Sequence, residues 1–213
     1  MISNEHFECI RNKYGKVASW AIWEACGDRP KSNMSACSVF DLNLNPTLLE
    51  TIQTQVIMCG LNFSRGVTSV YDFANFHDES PHANDFKIRY TFEDTPYYGA
   101  YMTDALKNLV IPNAQNVREY LKRNPKATKP HMELLEQELA DLATANPLIL
   151  AFGRDAFAIL SKSLKRDLYG HLIQVTHYSH QISKEKYRVE VLSQIEIAIN
   201  KRKHIAEDAV PKA

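Results

Sequence analysis

A surplus of charge is the first thing missing from this chain. Across 213 residues, twenty-five Lys and Arg are matched by twenty-five Asp and Glu. There is thus no overall cationic excess of the kind that grips phosphodiester backbones without regard to sequence, although a local basic patch stays open. A disulfide or zinc framework is missing too. The four cysteines, Cys9, Cys26, Cys37 and Cys59, form no C-x-x-C pair and have no histidine at finger spacing, which points to reduced thiols inside a cell. No run approaches ~20 apolar residues, and no N-terminal stretch is basic and then apolar, so neither a membrane span nor a secretory leader is expected. The expected location is the cytoplasm. Walker and dinucleotide fingerprints are also absent, which removes nucleotide hydrolysis and nicotinamide chemistry.

What is present suits one α/β domain. Hydrophobic residues make up 45% of the chain, enough for a single core over residues 1–213, with about 1–16 as an N-terminal extension and 202–213 as a polar tail. Short apolar runs predict strands at 17–23, 55–60, 99–104, 148–152 and 171–176. Between them, 45–53 carries an Asn-Pro start, and 129–143 carries a leucine stripe at Leu134, Leu135, Leu139 and Leu142. The stretch 153–164 follows a strand at once, and 183–201 spaces Tyr187, Val191, Leu192, Ile195 and Ile199 at helical intervals. This alternation predicts a three-layer α/β/α sandwich with a central, mostly parallel sheet. Ligands of such sheets sit beyond the carboxyl ends of the strands, which directs attention to Gly60-Leu61-Asn62, Thr103-Asp104 and Thr176-His177. The connection 64–97 is long, aromatic and charged with little periodicity, a profile that often marks function.

Those strand ends, taken in order, resemble the uracil-DNA glycosylase superfamily. GLNFS at 60–64 resembles its first motif in the asparagine form, and HYS at 177–179 resembles its second. AYMTDALK at 100–107 is similar to the intervening strand that ends in a base-reading asparagine, and ILAFGRDAFAIL at 149–160 is similar to the later strand, glycine and helix. The likeness covers roughly residues 50–200. Three departures stand out: Phe63 and Tyr178 replace prolines, and Asp104 stands where an asparagine is expected. The four-cysteine iron–sulfur arrangement of some relatives is not matched, since ten residues separate Cys26 from Cys37 and the other two lie far off.

The resemblance implies hydrolysis of the N-glycosidic bond of a damaged, deaminated or modified base, extruded from DNA or carried on a single strand. Breaking that bond leaves positive charge on the sugar and negative charge on the base, so the site must hold the base, stabilise its anion and admit water. Asn62 would orient the water; an amide is a poor base, which implies a slow enzyme. His177 would donate a hydrogen bond to the departing base, and one such donor contributes roughly 3 to 4 kcal/mol in a dry site. Asp104 would read the base. An ionised carboxylate only accepts hydrogen bonds and leaves a facing carbonyl unpaired, so plain uracil is not the expected substrate. Gly60, Leu61, Phe63, Ser64, Phe76, Tyr178 and Ser179 are expected to contact the substrate, and Arg65, Lys87 and Arg89 its backbone. No metal or organic cofactor is needed for this scheme.

Each role has a plainer competitor. Asn62 could merely turn the chain, His177 could bond to nearby backbone, and Ser179 could cap a turn. Tyr178, Phe76 and Phe73 could be packing residues, and Asp104 could pair with Lys107 or Arg89. Adjacent His77 and Asp78 invite a metal but lack a third ligand at sensible spacing. At the level of the whole protein, the competitors are a non-catalytic base or nucleic-acid binding module on the same fold, a hydrolase of free nucleosides or nucleotides, and a regulator built on an inactive scaffold.

Overall fold

The computed structural model of the chain describes residues 2–24, 37–63, 71–78 and 82–208. In chain order the elements are α1 (Asn4–Tyr14), β1 (Ser19–Trp20), a 3-10 turn (Cys37–Phe40), α2 (Leu48–Thr51), β2 (Gln53–Asn62), α3 (Phe86–Phe92) and β3 (Ala100–Leu106). They continue as α4 (Ala114–Arg123), α5 (Thr128–Asp141), β4 (Leu148–Phe152), α6 (Arg154–Ser163), a 3-10 turn (Arg166–Leu168), β5 (His171–Val175) and α7 (Lys184–Asp208).

The five strands form one sheet in the order β1-β3-β2-β4-β5. The pairs β2/β3, β2/β4 and β4/β5 are parallel, and only the short edge strand β1 runs antiparallel, against β3. Alternation along the strands sends side chains to two cores. Ile57, Cys59, Tyr101, Ile149 and Ala151 meet α1, α5 and α6 on one face. Val56, Met58, Met102, Leu150, Phe152, Ile173 and Val175 meet α3 and α7 on the other. Each large apolar side chain so enclosed contributes about 1.5 to 3 kcal/mol, which makes this two-sided burial the main force holding the sheet.

The region expected as an N-terminal extension is part of the core. Ser3 accepts the His6 N–H at 3.2 Å and caps α1, and Phe7 and Ile10 are fully buried. The strand expected at 17–23 is formed over Ser19 and Trp20; Ala21 continues the pairing through backbone hydrogen bonds with Gly99 and Ala100, and Ala18 to Trp23 is buried throughout. Asn45 does not cap a helix: its amide donates to the Val39 carbonyl at 2.9 Å, and α2 starts three residues later. Of the leucine stripe on α5, Leu135, Leu139 and Leu142 are buried, while Leu134 is 52% exposed; it lies one position, about 100° around the helix, from Leu135. The long connection after β2 contains α3, whose Ile88 and Phe92 are completely buried. Where the polar tail was expected, α7 continues to Asp208.

One polar group holds α5 to the sheet. Glu138, 1% exposed, forms an ion pair with buried Lys107 and accepts the Tyr101 and Thr103 hydroxyls at 2.8 and 2.7 Å. Lys107 also donates to Thr103. An ion pair this dry is tolerable because its lone pairs and protons are matched by partners.

Candidate functional site

The connection leaving β2 leads to β3 on one side, while the connection leaving β4 leads to β5 on the other. Their divergence marks the carboxyl ends of β2 and β4 as the place where an open parallel sheet receives a ligand. Gly60 and Asn62 border it from β2, Asp104 from β3, Gly153 from the end of β4, and the 176–179 turn from β5.

Asp104 is buried at 4% exposure and shares its face of the sheet with Met102 and Gly60. Its Oδ2 accepts the Asn75 Nδ2–H at 3.0 Å. Its Oδ1 lies so close to Gly60 that a Cβ there would approach it to 2.3 Å. Neither cation considered as a partner for it plays that part: Lys107 turns to Glu138, and Arg89 pairs with Glu93 at 2.9 Å. Burial raises the Asp104 carboxyl from 3.8 to about 6, opposed by the Asn75 hydrogen bond and the Lys107 charge. Phe76 approaches the same glycine, its ring edge 3.5 Å from where a Cβ would stand. Phe73 and Phe76 both adopt positive φ, 59° and 66°, an uncommon state for bulky residues. The strained turn sends Phe73 into the α1 side of the core and leaves Phe76 at the strand ends.

From β5, His177 leans on Gly153, whose missing Cβ would stand 3.3 Å from the His177 Cβ; Gly153 also has φ +88° and starts α6. Two bonds from α7 fix the end of β5: the Gln194 side chain accepts the Thr176 N–H at 2.8 Å, and Tyr187 donates to the Thr176 carbonyl at 2.9 Å. His177 Nδ1 accepts the Ser179 N–H at 3.1 Å and sits 2.8 Å from the Ser179 hydroxyl. A backbone N–H can only donate, so Nδ1 is the unprotonated nitrogen and the neutral ring carries its proton on Nε2. Burial lowers the imidazole from 6.5 to about 4, which keeps that neutral tautomer in place at ordinary pH. Ser179 thus acts as the cap of this turn.

Tyr178 links the two halves. Its ring stacks on His177 at 4.3 Å and meets Phe152 and Phe76 edge-on at 5.5 and 6.5 Å. Burial, followed by the charges of Asp104, Asp85 and Asp78, raises its phenol well above the ordinary range. Gly60, Asp104, Phe76, Tyr178, His177 and Gly153 therefore form one connected group.

Asn62 belongs to a different set of contacts. Its Nδ2 donates to the Phe63, Leu109 and Ile111 carbonyls at 2.8, 2.9 and 3.0 Å, so the amide fastens the segment after β3 to the end of β2. Its nitrogen is thereby engaged with backbone. Leu61, expected at the substrate, points by strand alternation into the opposite core. Phe63 is buried, and its carbonyl pairs with the Ile111 N–H. Lys87 and Arg89, expected along a nucleic-acid backbone, are instead 5% and 6% exposed. The Lys87 ammonium donates to the His180 carbonyl at 2.7 Å, and burial lowers its pKa; neither cation stands out where a phosphate chain would run. Ser64 and Arg65 lie outside the described residues. The His77 ring packs on Trp23 and Phe40, each at 5.1 Å. Among the described residues, no group of three or more His, Cys, Asp or Glu could hold a metal ion, and no helix is long and apolar enough to cross a membrane.

Sequence reasoning missed two contributors, Asn75 and Asp85. Asp85 is 3% exposed; Oδ2 accepts the Asp78 N–H at 2.8 Å, and buried Oδ1 has no hydrogen-bond partner among the described residues. Burial raises its carboxyl to about 7. Hollows of about 320 Å³, near Leu139, Thr144 and Leu168, and about 330 Å³, beside Val189, lie at the amino ends of the strands and on α7 respectively. They are remote from this group, whose shared chemistry makes it the better candidate site. Comparison of the chain with protein-family models, with curated proteins and with solved structures finds no match in any of the three.

Proposed function

We propose that this chain is an N-glycosidic hydrolase of the uracil-DNA glycosylase type, acting on a damaged, deaminated or modified base held on an extruded or single-stranded nucleotide. What supports the reading is the pairing, across Tyr178, of a neutral imidazole with its proton on Nε2 and a buried carboxyl that forms no ion pair, the nearby Lys107 being paired with Glu138. In this scheme the base lies against Phe76 and Tyr178. As the C1′–N bond breaks, its electron pair moves onto the base, and the His177 Nε2–H donates to the base oxygen where the charge collects. Water held by the Asn62 oxygen adds to C1′ and releases a proton, and the base anion takes up a proton from solvent. Ionised Asp104 accepts from the base, which favours an edge with two neighbouring donors over that of uracil.

Single-turnover assays with enzyme in excess, scoring abasic sites in oligonucleotides that carry normal, deaminated and modified bases, test the proposal. At least one base should be released, uracil should be a poor substrate at neutral pH, and His177→Ala should slow release by about 100- to 1,000-fold. DNA binding with no abasic sites on any member of the panel would replace the hydrolase with a base-binding module. The enclosure of Lys87 and Arg89 favours a second reading, hydrolysis of free nucleosides. Faster cleavage of the nucleoside than of the same base in an oligonucleotide would select it.

A further inference from the structure

The carboxyl of Asp104 is held asymmetrically. Oδ2 takes the Asn75 N–H, and that amide is itself tied to the Val17 carbonyl at 3.1 Å. Oδ2 is therefore a standing acceptor, and a proton added to this carboxyl goes to Oδ1. Oδ1 lies over the bare Cα of Gly60 and has no hydrogen-bond partner among the described residues. The surrounding charges compensate it only in part: Lys107 favours its ionised form and Glu138 opposes it. On β2, Cys59 projects to the other face; beyond β3, Lys107 is committed to Glu138 of α5. The turn after β5 brings Tyr178, on which the charges of Asp104, Asp85 and Asp78 all act, and a neutral His177. No cation locks the carboxyl in its ionised form.

Resting on the base-cutting reading above, we propose that Asp104 is a two-state reader: as a neutral carboxyl it takes a base edge with one donor beside one acceptor, and as a carboxylate it takes an edge with two adjacent donors. In the neutral state Oδ1–H donates and Oδ2 accepts, the same pair of functions an asparagine amide supplies, so an imide edge such as that of uracil fits. In the ionised state both oxygens accept, so the N1–H and 2-amino group of a 2-amino-6-oxopurine fit instead. Solution pH then selects the class of base. The titration of Asp104, lifted by burial to about 6, puts the changeover just below neutrality.

Equilibrium binding of free uracil and of 9-ethylguanine to the full chain, followed by calorimetry between about pH 5 and about pH 8, tests this without requiring bond cleavage; neither ligand titrates in that interval. Because apparent affinity scales with the fraction of the competent state, uracil should bind on the order of a hundredfold more weakly at the alkaline end, and 9-ethylguanine about tenfold more tightly. Asp85 titrates in the same interval, and Asp104→Asn separates the two. That variant should bind uracil with nearly level affinity across the range. Asn75→Ala removes a hydrogen bond that favours the carboxylate and should move the wild-type midpoint to higher pH. Uracil affinity that is level in the wild type, an Asp104→Asn profile that follows the wild type, or no binding of either ligand overturns the proposal. Abasic-site formation is scored separately, so loss of the hydrolase reading and loss of this one are distinct results.

Discussion

Gly60 and Gly153 do the same job at two points of the candidate site: each lacks a Cβ where a polar side chain rests on backbone. At Gly60 the guest is the Asp104 carboxyl, and at Gly153 it is the His177 imidazole. Gly60→Ala should therefore displace Asp104 and weaken base binding at least tenfold, while lowering stability by about 1 to 3 kcal/mol, as overpacking does; calorimetry and denaturant melts read the two effects. Asp85 bears on stability in a different way. Its folded carboxyl titrates near 7, while the unfolded value is about 3.9. The folded form thus binds the proton more tightly, and the stabilising contribution is complete below about pH 4 and lost as pH rises through 7. Asp85→Asn should remove this loss, making the variant more stable than the wild type at pH 8 by on the order of 3 kcal/mol and little different at pH 4. His177 has the opposite sign over the acid part of that range, because its folded value is depressed to about 4, so the difference between wild type and variant is the quantity to read.

At the scale of elements, the helix α5 docks through Glu138, and the pair it makes with Lys107 can be taken apart. Glu138→Leu alone strands a buried ammonium and should cost about 3 to 5 kcal/mol; adding Lys107→Met should recover most of that loss. A double-mutant cycle by chemical denaturation checks this. How far such elements were legible in the sequence depended on how boldly their apolar residues were patterned. Strands β4 and β5 match the runs at 148–152 and 171–176 within one residue: β4 is a continuous apolar block, β5 is an edge strand that buries Ile173 and Val175 and exposes Gln174, and Pro147, Gly153 and Gly170 bound them. Helices α1 and α4 went unseen, since α1 buries only Phe7 and Ile10, and α4 only Val117, among polar neighbours. In the site, Gly60, Asp104 and His177 could be found because strand ends are where ligands gather. Asn75 could not, because its hold on Asp104 depends on the left-handed turn at Phe73 and Phe76, and bulky residues give no warning of positive φ.

For the molecule as a whole, two balanced sets of charges meet a candidate site at which Lys87 and Arg89 face inward. A substrate strand would then be held by its base more than by its phosphates. The logarithm of single-stranded DNA affinity should fall with the logarithm of salt concentration at a slope of about one or two phosphates, far shallower than for a protein with a basic groove; fluorescence anisotropy at several salt concentrations measures it. The grip of Asn62 on the Leu109 and Ile111 carbonyls has a last consequence. The residue assigned to deliver water is also the clasp that closes the β3–α4 link, so the two are mechanically one part. Lengthening that link by a residue or two would let the amide swivel, and under the proposed function the hydrolytic step would fail in a protein that still folds and still captures a base.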